Sequence, residues 1–453
     1  MITALHALSP LDGRYQKHAA QLSPFFSEFG LIRYRVLVEV RYFIALSAQN
    51  LKGLPALSAG QAADLERIYS EFSESDAVRI KEIESTINHD VKAVEYFLKE
   101  RFEALGMGDR AEFIHFGLTS QDINNTAIPL SMKDAHRDVV RPALLAIIER
   151  IDAQSNEWDA LPMLARTHGQ PASPTRLGKE WRVFRERLSQ QLALLDAIPF
   201  AGKFGGATGN FNAHSVAYPG IDWHAFGNQF LSQDLGLQRS HPTTQIEHYD
   251  HMAAYFDGLK RLNTILIDLA RDAWQYISMD YFKQRINPNE VGSSAMPHKV
   301  NPIDFENAEG NLGIANALLR HFADKLPISR WQRDLTDSTV LRNVGVALGH
   351  VLVSLRALQR GLGKIEPDPT RMALDLSDAW EVLGEAVQTV LRARGVPNGY
   401  ELLKDFTRGR RIDGTAYRDF VATLPIDEAS KSRLAAMTPA SYLGLAVSLT
   451  RGG

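Results

Sequence analysis

The sequence predicts an all-α protein, built as a long central helical bundle between two smaller helical domains. Three observations lead there. Apolar residues recur at steps of three and four along much of the chain. Helix starts carry capping residues or a proline at the first helical position. Sustained strand alternation is nearly absent.

Taken in order, the first long helix is signalled by Ser23 as N-cap and Pro24 at the first helical position. It should run to about Asn50, before Gly53 and Pro55. Ser58 and Gln61 read as a capping box for the next helix. Val91, Val94, Leu98 and Phe102 follow amphipathic spacing. A long helix from Gln121 to about Gln154 contains Pro129 and Pro142, which should kink or split it. Leu177, Trp181, Phe184, Leu188, Leu192 and Leu195 form one stripe. Met252, Tyr255, Leu259, Leu262, Leu266, Leu269 and Ala273 form the seam of a helix packed at a shallow angle. Asn301 and Pro302 open another helix, and Ser338 to about Leu362 reads as one more. The expected divisions are an N-terminal helical domain over 1–112, the bundle over 113–364 and a C-terminal helical domain over 365–453. The last boundary rests on Gly363, Pro367 and Pro369.

A chain of 453 residues can bury a large core in two or three domains. Its 50 basic and 53 acidic residues nearly cancel, leaving no general reason to expect nucleic acid or an anionic membrane as partner. The absence of cysteine excludes disulfides, thiolate metal sites and a cysteine nucleophile. The 14 histidines form no ligand pair of the HExxH kind, so no metal is expected. The N-terminus does not read as a signal peptide, and no apolar run approaches the roughly 18 residues of a membrane span. A cytoplasmic protein is expected.

The segment Gly292-Ser-Ser-Ala-Met-Pro-His-Lys-Val-Asn-Pro302 is the most informative. It joins a backbone-exposing loop, a cation at Lys299 and a helix start at Asn301, a combination suited to gripping a carboxylate. On composition alone it is also an ordinary polar loop before a capped helix. Thr119 and Asp122 fit a capping box, and a capped helix N-terminus is itself an anion site. Asp90 suits the N-cap of the helix that begins at Val91. A lone His168 is more often structural than catalytic, although imidazole titrates near working pH. Gly205-Gly-Ala-Thr-Gly-Asn210 lacks a preceding strand and the dinucleotide spacing, so it reads as a loop. Arg408-Gly-Arg-Arg411 reads as a solvated basic run.

The 292–302 segment matches the GSSxMPxKxNP signature, and the chain resembles the fumarase–aspartase–argininosuccinate lyase superfamily. The likeness runs from Ser9-Pro-Leu-Asp-Gly-Arg-Tyr15 to Met437-Thr-Pro-Ala-Ser-Tyr442. It takes in Asn88-His89-Asp90, Phe116-Gly-Leu-Thr-Ser-Gln-Asp-Ile-Asn124, Arg166-Thr-His-Gly-Gln-Pro-Ala-Ser-Pro174, Thr244-Gln-Ile-Glu247 and the run Arg330–Asn343. Within the superfamily it most resembles the branch, in its longer bacterial form, that eliminates fumarate from succinyl-amino purine nucleotides.

That resemblance implies a fumarase/aspartase-like fold and a role for each matching residue. His168 protonates the leaving nitrogen, and Glu306 orients its imidazole. Ser293 is the base, which an unassisted hydroxyl could not be; Lys299, backbone amides and a closing loop would activate it. Ser294 and Asn301 hold substrate oxygens. Arg14 and Tyr15 resemble a phosphate grip, and Asn88, His89 and Asp90 a second nucleotide-side cluster. Thr119, Ser120, Gln245, Arg333, Ser338 and Arg342 match further substrate contacts, the arginines suiting carboxylate or phosphate by their bidentate fork. No cofactor is implied. The resemblance also implies a homotetramer with active sites shared between subunits, which fits signature regions lying near the ends of different long helices. Two other readings stay open: a sibling lyase for argininosuccinate, aspartate or malate, and a non-catalytic protein on the same fold. Arg14-Tyr15 and Asn88-His89-Asp90 speak against the first, because those substrates have no phosphate, and intact Ser293, His168 and Lys299 speak against the second.

Overall fold

The computed structural model describes residues 4–285, 296, 299–407 and 412–450. Ser293 and Ser294 lie outside the described residues, as does the basic run Arg408–Arg411. The described chain is helical, with strands of two or three residues arranged in four pairs. It divides into two compact units. One comprises Met1–Leu145, Gln191–Thr264 and Ala308–Arg356; the other comprises Ala146–Gln190, Ile265–Asn307 and Ala357–Gly453.

In the first unit the Glu28–Ser47 helix packs on the Ala59–Ser70, Asp90–Ala104 and Ser120–Ala135 helices. Val36, Val38, Tyr42, Phe43 and Leu46 are at most 1% exposed. Around Tyr42 stand Phe204, Phe226 and Phe230, with ring centroids 5.4, 6.2 and 5.8 Å away. Each such ring stabilises the core by about 1.5–3 kcal/mol through burial. The helix starts later than its sequence signal suggests. Ser23–Phe26 forms only a short turn, and the chain then breaks at Ser27, which is extended at ψ 167. Ser27 is the true N-cap: its hydroxyl accepts from the Gly30 amide at 3.0 Å. Proline at a first helical position marks a helix start but does not say how long that helix is. The capping box of Ser58 and Gln61 forms as expected.

The two prolines of the next long helix behave differently, for one physical reason. Proline cannot bond the carbonyl four residues back. Pro129 stays inside the Ser120–Ala135 helix because the carbonyl it leaves, that of Asn125, accepts from the Lys203 amide at 3.3 Å. Gly202 makes that approach possible, since a Cβ there would lie 2.9 Å from the same oxygen. Ahead of Pro142 the helix instead widens into a π turn over His136–Val140, with the Arg141 amide bonding the His136 carbonyl, before the Arg141–Glu157 helix resumes.

The stripe on the Leu177–Asp196 helix and the seam on the Asp250–Ser278 helix are buried throughout, with no member more than 8% exposed. In the second unit, Trp158, Trp181 and Phe282 pack together at centroid distances of 5.2 to 5.6 Å. The Ile303–Lys325 helix begins one residue after Pro302, whose carbonyl accepts from the Phe305 and Glu306 amides at 3.1 and 3.3 Å.

The helix expected from Ser338 to Leu362 is two helices, Thr336–Leu341 and Val344–Lys364. Asn343 separates them. Its side-chain amide donates to the Thr339 carbonyl at 3.1 Å, the acceptor its own backbone amide would use in a continuous helix. The stretch Thr336–Lys364 is apolar and long enough to cross a bilayer by length and composition, which corrects the expectation that no run comes near that length. Most of its apolar window is buried within the protein.

Candidate active site

In the second unit, two antiparallel pairs nest between the Arg141–Glu157 and Leu177–Asp196 helices. The outer pair joins Pro162–Met163 to Thr175–Arg176, and the inner pair joins Arg166–Thr167 to Gln170–Pro171. The inner pair closes on His168 and Gly169, at φ 53 and 74. Positive φ at both central residues is the geometry that two-residue hairpins favour. Glycine takes it freely, and histidine is among the side chains that tolerate it. The imidazole of His168 therefore stands exposed at the hairpin tip. Below it, Leu164 is buried with Leu376, Ala379 and Val382. Two quoted motifs meet here: the Ser173 hydroxyl donates to Glu385, and the Tyr442 hydroxyl donates to the same carboxylate at 3.0 Å.

The same unit carries Lys299, Asn301 and Glu306. Lys299 is exposed, its amide bonding the Met296 carbonyl at 3.0 Å. Glu306 lies in the first turn of its helix, where its carboxylate accepts from the Trp274 indole at 3.0 Å. Among the described residues, no hydrogen bond joins Glu306 to His168 within the chain.

The first unit gathers most of the remaining candidates around one cavity of about 610 Å³, lined by Asn88, His89, Asp90, Ser120, Arg333, Ser338 and Arg342. Local chemistry explains how three of these turn a corner. Asn88 ends the Glu74–Ile87 helix in the left-handed region, which asparagine tolerates. His89, not Asp90, caps the next helix: its Nδ1 accepts from the Lys92 amide at 3.1 Å. Asp90 is the first helical residue. Its Oδ1 accepts from the Val91 amide at 2.9 Å, leaving Oδ2 for Arg35 at 2.7 Å. Burial alone would raise the Asp90 pKa, but Arg35, the Val91 amide and Arg342 outweigh it and hold the carboxyl below its ordinary value.

On the opposite stretch, Arg333 donates to Ser338 Oγ at 3.3 Å and to Gln245 Oε1 at 3.2 Å. With the Gln121 amide turned to face its oxygen inward, it also accepts from Arg333. Ser338 is fixed from behind. Its amide donates to Asp337 at 2.7 Å, and Asp337 accepts from the buried Tyr249 hydroxyl at 2.8 Å. Arg342 reaches Glu28 at 2.9 Å and Asp90 at 3.4 Å. Two helix N-termini, at Asp90 and Ser120, border the cavity. Arrayed arginines, a hydroxyl and helix N-termini can hold an anion. Arg14 is exposed and Tyr15 half-buried in the turn before the Gln16–Ala19 helix, and neither lines this cavity.

Beneath Thr119 and Ser120, the Asp122 carboxylate accepts from the Thr119 amide at 2.8 Å, completing the expected cap. It also accepts from the Gly205 and Gly206 amides at 2.8 and 3.1 Å and pairs with Lys203 at 2.8 Å. The glycine-rich segment is thus a loop, as expected, but one bound to the helix start. Nearby, His214 is 0% exposed. Tyr42 spends its proton on the Phe116 carbonyl at 2.6 Å, so His214 Nε2 donates to the Tyr42 oxygen at 3.1 Å. Nδ1 is left buried without a partner among the described residues.

Sequence reasoning missed Arg35, Gln121, Lys203 and Glu28. A signal existed for Arg35. It and Glu39 lie one turn apart among Val36, Val38 and Val40, and both are buried, at 3% and 1% exposed.

Comparison with known proteins finds relatives over nearly the whole chain. Residues 13–316 match the model of a family described as lyase, and residues 329–443 match that of the adenylosuccinate lyase C-terminal region. The chain is 49% identical to an adenylosuccinate lyase of Vibrio cholerae, over 99% of each chain. It is 52% identical to one of Dictyostelium discoideum, over 97% of each, and 48% identical to one of Escherichia coli, over 99% of this chain and 98% of that one. Solved structures share its fold at low identity. A fumarate lyase from Mesorhizobium sp. BNC1 aligns at TM-score 0.75 and 20% identity over 95% of this chain and 96% of that one. A 3-carboxy-cis,cis-muconate lactonizing enzyme from Pseudomonas putida aligns at 0.73 and 21% over 95% of each. The fold and the matched family models make this an all-helical lyase of the fumarase–aspartase superfamily. Within that superfamily, the chain belongs to the adenylosuccinate lyase family.

Proposed function

We propose that the enzyme converts adenylosuccinate to AMP and fumarate, and releases fumarate from the succinyl-carboxamide intermediate of purine nucleotide synthesis. The observation that carries this reading is the cavity wall formed by Arg333, Ser338 and Arg342 between two helix N-termini. It suits a phosphorylated, carboxylate-bearing substrate. Asn88, His89, Asp90, Thr119, Ser120 and Gln245 contact the nucleotide around it, with Arg14 and Tyr15 adding to the phosphate grip.

In the elimination, Ser293 takes the proton from the carbon beside one succinyl carboxylate, and the C–N bond breaks as the C=C bond of fumarate forms. His168 gives its proton to the departing nitrogen, and Glu306 orients that imidazole. Lys299, Ser294 and Asn301 hold the carboxylate on which charge develops. No cofactor enters this chemistry.

The enzyme acts in the cytoplasm as a homotetramer whose subunits share each active site. Supporting that assembly, Val183, Leu194, Trp274, Ile303 and Ile314 on the long helices are 42–62% exposed, a set of apolar side chains suited to burial against other copies. The deciding experiment is release of fumarate from adenylosuccinate by purified protein without added metal or nicotinamide. Turnover of argininosuccinate in its place would overturn the substrate while leaving the lyase class intact.

A further inference from the structure

Arg342 already holds carboxylates where the proposed function needs a phosphate. Its Nη1 donates to Glu28 at 2.9 Å and its Nη2 to Asp90 at 3.4 Å. These two acids are not equivalent. Asp90 is anchored, since the buried Arg35 takes the same oxygen at 2.7 Å and the Val91 amide takes the other at 2.9 Å. Glu28 is held more loosely. Among the described residues its other ion-pair partner is Lys81, at 3.3 Å, and Lys81 is closer to Glu84, at 2.7 Å. Glu28 and Arg342 are 42% and 47% exposed, and both line the same cavity.

This arrangement obstructs the substrate. A guanidinium engaged by a carboxylate cannot offer its full fork to a phosphate. Nor does a phosphate dianion sit favourably beside an ionised carboxylate. The obstruction has an exit, because Lys81 already lies within reach of the other Glu28 oxygen.

We propose that Glu28 is an internal counter-anion of the empty site: it holds Arg342 while nucleotide is absent and is displaced toward Lys81 when the substrate's phosphate arrives. The inference rests on the reading of Arg342 as a phosphate contact. Glu28 then sets how tightly the phosphorylated end is held. Because substrate and nucleotide product carry the same phosphate, it weakens both and favours product release. Glu28 is not a catalytic residue, as it acts only through Arg342.

Glu28→Gln removes the charge and keeps the size. In the folded variant, KM for adenylosuccinate should fall about two- to fivefold, the range of an exposed ion pair. Inorganic phosphate, used as a competitive inhibitor, should bind more tightly by the same factor. Lys81→Met removes the exit and should raise both constants, and this rise should vanish in the Glu28→Gln/Lys81→Met double variant. An unchanged or raised KM in Glu28→Gln overturns the proposal, as does a Lys81→Met effect that survives in the double variant. Arg342→Ala tests the underlying reading separately. Unchanged KM there refutes the phosphate contact itself, whereas raised KM there with unchanged KM in Glu28→Gln refutes only the displacement.

Discussion

The Lys203 ammonium lies 2.8 Å from an Asp122 carboxylate oxygen, and both side chains are wholly buried. The pair ties the glycine-rich segment to the helix start that carries Thr119 and Ser120, because Asp122 also accepts from the amides of Thr119, Gly205 and Gly206.

Breaking such a pair from one side leaves a buried charge unpaired. Lys203→Met should therefore destabilise the protein by about 3–5 kcal/mol. Adding Asp122→Asn to the same protein removes the stranded charge and should recover part of that loss. Chemical denaturation of the two variants tests this; a double variant less stable than the single one would contradict it.

His214 makes stability depend on pH. Burial is the main cause, with Lys203 adding to it and Asp122 opposing, and together they lower its pKa from 6.5 to about 4. The unfolded chain thus takes up a proton that the folded chain refuses. This contribution is fully present above about pH 6.5 and is lost as pH falls toward 4, by about 3 kcal/mol in all. Thermal unfolding between pH 7 and 4.5 should be less steep in pH for His214→Gln than for the parent. Equal slopes would remove His214 as the cause.

Loss of the proposed acid or the proposed base should be severe. His168→Gln and Ser293→Ala should each lower kcat by at least about a hundredfold while remaining folded. Mixed, gently dissociated and reassembled, the two inactive proteins should regain about a quarter of normal activity if the residues come from different subunits. Native mass spectrometry that detects hybrid tetramers without any recovered activity would refute the shared site.

Arg14 lies apart from the single-chain cavity, so its proposed role gives a second check on subunit sharing. Arg14→Ala should chiefly raise KM, because a remote phosphate contact contributes mainly to binding. An unchanged KM would move the phosphate elsewhere.

Helices and seams were legible in the sequence because their signal is local: each turn repeats it. The break at Asn343 was not, because one side-chain amide decides it by taking the Thr339 carbonyl. The site was legible as motifs but not as a place. Asn88, Ser120 and Arg342 meet at one cavity only through the fold. Arg35, Lys203 and Glu28 escaped notice for a related reason. Charged residues on helices and loops usually face water, and nothing in the neighbours of Lys203 and Glu28 signalled that the one is buried and the other holds Arg342.

The nested hairpin that carries His168 holds one residue more on its return side than on its outgoing side, because Met163 pairs with Thr175 but Arg166 with Pro171. Strand side chains alternate between faces, so one residue gained or lost at the two-residue turn itself would slip the inner pairing and turn the tip over. Most surface connections accept insertions readily. This one acts as a ruler. At that turn the number of residues, together with the tolerance of His168 and Gly169 for positive φ, decides which way the imidazole faces.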